Sequence, residues 1–247
     1  MKAFLDHTGL LAFAHRGDHQ SGPENTFAAF EGAVKKGYQY LETDTHCTQD
    51  GVLLAFHDHR LDRVTNASGM IRELDFAEIQ TALVAGREPI PLLADLITAF
   101  PDTRFNIDLK ADNTVQPFLA LIQHLRCQDR VCVGSFSHER VLAVRTAFPG
   151  ICTSLTPKEV FWTRLRSFYI PTFKIQGDCA QVPERAGKIP LVDPRFLNTA
   201  RKLGIQTHVW TINEVHDMRR LSNLGVEGLM TDDASALKQV LQDLGRW

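Results

Sequence analysis

Residues 38–46 read YQYLETDTH and follow a glycine, Gly37. Aromatic and β-branched side chains in so short a run predict a strand. Residues two apart on a strand share a face, so Glu42 and Asp44 project together near its C-terminal end, and Thr43 points the other way. Upstream, 10–15 reads as a first strand and 24–36 as a helix closed by Gly37. Downstream, Gln49-Asp50-Gly51 signals a turn and 52–56 a returning hairpin arm, followed by an excursion over 61–88.

The alternation then recurs. Helix 91–100 completes the second unit, and further strands are expected at 103–109, 131–135, 151–155, 172–176, 205–211 and 228–231. Helices follow at 115–125, 139–148, 157–167, 194–203, 214–224 and 234–244. Eight strand–helix units predict an α/β fold, a closed parallel (β/α)8 TIM barrel. The rival, an open doubly wound sheet, lacks its glycine fingerprint here. The expected organisation is one barrel domain over 1–247, with a small insertion within about 45–90. The excursions at 61–88 and 177–191 are expected at the pocket mouth.

Composition narrows the partners. The chain has 247 residues, 44% hydrophobic and 23% charged, with net charge −2, so it carries no basic footprint for nucleic acid. Its apolar runs are too short for a transmembrane segment. Asp6 and His7 interrupt the N-terminal apolar stretch, which does not read as a signal peptide. The five cysteines fit neither a zinc spacing nor a disulfide framework, and reduced thiols in the cytoplasm are the simplest reading. Cys127, Cys132, Cys152 and Cys179 read as small buried apolar residues.

Chemistry gathers at the strand ends. Paired carboxylates such as Glu42 and Asp44 repel each other inside a barrel, and a hard divalent cation, Mg²⁺ or Ca²⁺, would remove that cost. Solvated loop carboxylates are the plainer reading. In 105-FNIDLK-110, Asp108 and Lys110 share a face, as a third metal oxygen beside a phosphate-binding cation or as a local ion pair. The first strand ends in His15-Arg16-Gly17; the histidine is a core residue or a catalyst, and Arg16 suits bidentate phosphate contact. Pro23 to Thr26 suits helix initiation. His57 and His59 flank Asp58, as proton-transfer groups or, less simply, zinc ligands; Asp58 orients one or caps a turn. His46 and His208 read as packing or rim. Trp210 is a core filler or an apolar wall for a glycerol or choline-like group.

The ordered set HRG (15–17), PENT (23–26), ETD (42–44), TQDG (48–51), FHD (56–58), LDRVT (61–65), WTIN (210–213) and GVEGLMTDD (225–233) resembles the glycerophosphodiester phosphodiesterase family across nearly the whole chain. The resemblance implies a (β/α)8 barrel with an insertion after the second strand. It also implies metal-dependent hydrolysis of small-molecule glycerophosphodiesters to sn-glycerol 3-phosphate and an alcohol, with Mg²⁺ or Ca²⁺. It assigns His15 and His57 as the acid–base pair, Glu42 and Asp44 as metal ligands and Arg16 to phosphate. The family usually has Glu-x-Lys where this chain has Asp108-Leu109-Lys110, and Asp is one methylene shorter. Two alternatives stand beside this reading: lysophospholipase D activity on a lipid, and a barrel that binds phosphodiesters without turnover.

Overall fold

The computed structural model describes residues 2–247. Its first half alternates β1 (Leu11–His15), α1 (Phe27–Lys35), β2 (Tyr40–Cys47), α2 (Leu93–Ala99), β3 (Arg104–Leu109), α3 (Val115–Leu125), β4 (Val131–Gly134) and α4 (His138–Ala147). The second half continues with β5 (Cys152–Thr153), α5 (Pro157–Arg166), β6 (Cys179–Pro183), α6 (Pro194–Lys202), β7 (Gln206–Trp210), α7 (Val215–Leu224), β8 (Gly228–Thr231) and α8 (Ala234–Asp243). All eight strands are parallel, in the order β5-β4-β3-β2-β1-β8-β7-β6. The ends of that order meet: Ser154 bridges Cys179, and Leu155 N–H donates to Cys179 O at 2.7 Å. The sheet is therefore the barrel that the alternation predicts.

Local chemistry sets the helix ends. The Thr26 side chain accepts from Ala29 N–H at the start of α1. Thr156 and Glu159 form a reciprocal capping box on α5, with Pro157 in its first turn. Gly225 ends α7 with φ 89°, a left-handed conformation that costs glycine little. The helices seal the barrel's outer face with fully buried side chains such as Phe30, Leu96, Phe118 and Phe196. Burying each such side chain stabilises by about 1.5–3 kcal/mol. No helix among the described residues is long and apolar enough to cross a membrane.

A separate cluster fills the barrel interior away from the strand C-termini. Leu11, Phe13, Tyr40 and Met230 pack there with Phe4 and Leu5 of a short turn, Ala3–Leu5. Tyr40 donates its hydroxyl to Phe4 O at 3.0 Å, and the two rings meet edge to face. Between β2 and α2, Leu53–Ala55 returns antiparallel to β2, and the rest of the insertion builds its own small core from Leu54, Phe56, Leu61, Ile71 and Ile79.

One expected strand is misplaced. The run 172–176 alternates like a strand but is irregular, with Phe173 71% exposed. The sixth strand is Cys179–Pro183, whose Cys179 and Ala180 pair with Gln206 and Thr207 of β7. Alternation at 172–176 reflects a half-solvated surface segment. The strand itself, Cys-Ala-Gln-Val-Pro, has Cys179, Ala180 and Val182 buried on both of its faces, so no polar–apolar alternation marks it.

Candidate active site

The C-terminal ends of β1, β2 and β3 stand side by side. His15 pairs with Glu42, and Asp44 pairs with Asp108. Partners in a parallel ladder share a face, so these side chains look into the barrel mouth. Gly17 turns the chain away after β1 with φ 89°, and a Cβ there would meet Ala29 at 2.7 Å. Arg16 is itself left-handed, with φ 57°. A non-glycine residue held there costs about 1–3 kcal/mol, a cost that recurs at functional sites. In return its N–H donates to Glu42 O at 3.0 Å and Glu42 Oε2 at 3.1 Å.

Glu42 and Asp44 are 5% and 2% exposed. Burial, and then the charge of Asp44, push the Glu42 carboxyl up to about 7. Burial also opposes the charge of Asp44, but Lys110 and Arg16 outweigh it and hold its pKa below the ordinary range. Lys110 Nζ lies 2.8 Å from Asp44 Oδ1 and 2.7 Å from Asp108 Oδ2, and Arg16 Nε lies 3.0 Å from Asp44 Oδ2. Burial disfavours the Lys110 ammonium, yet Asp108 and Asp44 raise its pKa above the usual lysine value.

Two imidazoles flank this cluster. His15 Nδ1 lies 2.6 Å from Asp232 Oδ1, and its Nε2 is 3.8 Å from Glu42 Oε2. His57 Nδ1 lies 2.6 Å from Asp58 Oδ1. A carboxylate on Nδ1 fixes the ring and turns Nε2 toward a ligand. Burial lowers the basicity of His15, but Glu42 and the Asp232 hydrogen bond overcome it and raise its pKa. Burial would raise the Asp232 pKa, yet hydrogen bonds from His15 and Asn213 hold it at about 2. The Asn213 amide donates to Asp232 Oδ2 at 2.8 Å. Asp58 is likewise held at about 2 against burial, first by Arg63 and then by His57. Arg63 also grips Glu24 at 2.7 Å, and Glu24 accepts from Arg16 Nη1 at 3.2 Å. A continuous chain of charge thus links His57 to Arg16.

His57, Asp58, Arg63 and Lys110 line a groove of about 530 Å³, a volume suited to a small molecule. Trp210, at the end of β7, is half-buried and meets the exposed Phe136 ring edge to face at 6.4 Å. His46 is buried, donates toward His57 O (3.1 Å) and packs on His59; burial lowers its pKa to about 4. His208 is fully buried inside the barrel and takes no place at the mouth.

In type the donors suit a hard cation, although the carboxylate oxygens of Glu42, Asp44 and Asp108 are not all within 4.8 Å of one another. They are oxygens alone, Glu42 has no lysine or arginine ion pair among the described residues, and Asp108 Oδ1 is buried without a hydrogen-bond partner. Lys110 meanwhile bridges Asp44 and Asp108, so it and a cation compete for the same oxygens.

Sequence reading assigned no role to Asp232, Asn213, Glu24 or Arg63, and none beyond helix initiation to Asn25, which donates to Asp44 Oδ2 at 3.3 Å. Their signal lay in topology. Asp232 directly follows β8, and residues just past a barrel strand face the mouth.

A closed (β/α)8 barrel with buried carboxylates, cationic side chains and two aspartate-backed histidines at its C-terminal mouth defines a hydrolase built for an anionic ester. The chain belongs to the glycerophosphoryl diester phosphodiesterase family, whose family model matches residues 15–236. Members of this family generally depend on a divalent metal. The chain is 36% identical over 251 residues to a Mycobacterium tuberculosis protein named "Probable glycerophosphodiester phosphodiesterase 2", covering 99% of this chain and 95% of that one. Its fold matches a crystal structure of a glycerophosphodiester phosphodiesterase from Agrobacterium tumefaciens with TM-score 0.76 and 24% identity, covering 93% of this chain and 99% of that one. It also matches an Oleispira antarctica phosphodiesterase in complex with the product sn-glycerol-3-phosphate, with TM-score 0.80 and 20% identity over 95% and 97% of the two chains.

Proposed function

We propose that the protein hydrolyses glycerophosphodiesters to sn-glycerol 3-phosphate and an alcohol, with His15 and His57 as its acid–base pair. One observation carries the reading: two imidazoles, each with Nδ1 held 2.6 Å from an aspartate, flank the carboxylates of Glu42, Asp44 and Asp108. Family membership supplies the substrate class.

A phosphodiester anion repels nucleophiles, and the barrier falls when charge building on its oxygens is neutralised. Glu42, Asp44 and Asp108 would hold Mg²⁺ or Ca²⁺, which supplies that neutralisation when bound. Arg16 and Lys110 contribute further positive charge for the phosphoryl oxygens. One histidine removes the proton of the nucleophile at Nε2, and the other delivers a proton to the leaving alkoxide. Each transfer accelerates the reaction by about 10²–10⁴-fold. Asp232 and Asp58 hold the two rings in the orientation the transfers need. Trp210 offers an apolar wall to the alcohol or glycerol portion. Either water or a neighbouring hydroxyl of the substrate serves as nucleophile. A trapped cyclic phosphate identifies the hydroxyl, and isotopic oxygen from water in the first phosphorus product identifies water.

The test is a product assay on glycerophosphocholine and lysophosphatidylcholine side by side, with added Mg²⁺. Release of sn-glycerol 3-phosphate from the first supports the proposal. Turnover confined to the lysolipid would make the protein a lysophospholipase D, and binding without turnover of either would make it a non-catalytic barrel.

A further inference from the structure

Below the mouth, three thiols meet inside the barrel. Cys132 of β4, Cys152 of β5 and Cys179 of β6 are fully buried, and their sulfurs all lie within 4.8 Å of one another. Cys132 Sγ and Cys179 Sγ stand 3.7 Å apart, and all three thiols are free. A disulfide would need about 2.05 Å. Sulfurs bound to one tetrahedral zinc ion, with Zn–S of about 2.3 Å, stand about 3.8 Å apart. The 3.7 Å separation is that of sulfurs sharing one ion and equally that of two thiols in direct contact.

A candidate fourth donor stands nearby, although neither of its ring nitrogens lies within 4.8 Å of all three sulfurs. His208 of β7 is fully buried, and its imidazole is among the groups that act on the Cys179 thiol. Its Nε2 is 3.2 Å from the amide oxygen of Gln206, an atom that only accepts, so Nε2 carries the ring proton. Nδ1 is buried and has no hydrogen-bond partner. A neutral imidazole with one nitrogen hydrogen-bonded and the other bare is the form that ligates a metal.

We propose that Cys132, Cys152, Cys179 and His208 form a structural zinc site in the barrel interior, separate from the carboxylates at the mouth. Three sulfurs and one imidazole nitrogen are the donor set of a closed tetrahedral zinc site. They are too soft for Mg²⁺ or Ca²⁺. Register separates the two sites: Asp108 pairs with Gly134, two residues further along β4 than Cys132. Binding displaces three thiol protons to solvent and leaves three thiolates and a neutral imidazole around the dication. The site also has a purpose in the fold. β5 is two residues long and meets β6 through a single bridge outside the strand, Ser154 to Cys179. The thiols come from both sides of that seam, so one ion would tie β4, β5, β6 and β7 together where the ladder is thinnest.

The protein, expressed with added zinc and purified under reductant, tests this by its metal content. The wild type should carry about one more zinc per chain than Cys132→Ser or Cys152→Ser. Because a serine in the core can impair folding, the second measurement uses the wild type refolded with Co²⁺ in place of zinc. It should show the intense thiolate-to-cobalt charge-transfer absorption and tetrahedral visible bands, and His208→Gln should shift those bands. Absence of the charge-transfer absorption in the wild type overturns the proposal. So does a folded Cys132→Ser variant whose zinc content equals the wild type's.

Discussion

The two ends of the barrel interior are made by the same strands yet have opposite characters. On β1, Phe13 packs the closed end and His15, two residues on, stands at the mouth. On β2, Tyr40 packs against Phe4 and Phe13, whereas Glu42 and Asp44 are buried carboxylates at the open end. On β8, Met230 fills the core and Asp232, just past the strand, orients His15. A two-residue step along an inward-facing strand thus moves from a packed core position to one at the proposed reaction site. Substitutions at the two ends should separate stability from turnover.

The largest expected effect is on catalysis at the mouth. His15→Ala or His57→Ala should lower kcat by about 10²–10⁴-fold, with little change in the unfolding midpoint. A variant with near wild-type turnover contradicts its assigned role. Glu42→Gln removes a carboxyl that burial and Asp44 both disfavour as a charge. Activity and metal affinity should fall, excess cation should partly restore the rate, and urea unfolding should find the protein no less stable. A loss of stability together with activity would mean that Glu42 serves the fold.

At the closed end the balance reverses. Phe13→Ala should cost about 3–5 kcal/mol of stability, measured by urea denaturation, while the enzyme that remains folded keeps its kcat. A large fall in kcat at full folding would erase the distinction between the two ends. The smallest effect belongs to the Asp232–His15 pair. Asp232→Asn should move the His15 titration, followed by NMR, to lower pH. The sign of its stability effect follows from the two shifts. The raised His15 pKa contributes fully below the ordinary histidine value and is lost as pH rises through the raised one. The depressed Asp232 pKa contributes above the ordinary carboxylate value and is lost as pH falls toward about 2. The stability difference between wild type and variant should therefore be greatest between about pH 4 and about pH 6.5. A difference that does not vary with pH would remove the ion pair from the account.

Much of the fold was legible because the helices announce themselves. α3 falls on the expected 115–125, and β8 on 228–231. The error at β6 has a physical cause: Thr172 to Gln176 alternates on an exposed surface, whereas Cys179 to Pro183 is covered on both faces and does not alternate. Glu42, Asp44, His15 and His57 were legible because their positions follow from strand parity and local motifs. Asp232 was not given a role, since its contact with His15 spans 217 residues and exists only once the barrel closes. The same holds for the cysteines. Burial of Cys132 and Cys179 was expected from residue type, but their meeting across three strands is a product of register.

Metal add-back on the stripped enzyme is the most direct test of the central claim. The wild type should release sn-glycerol 3-phosphate from glycerophosphocholine, lose that activity after EDTA and recover it on titration with Mg²⁺ or Ca²⁺. Undiminished hydrolysis after complete removal of divalent ions would contradict the account, because the buried carboxylates of Glu42 and Asp44 would then have no cation to hold.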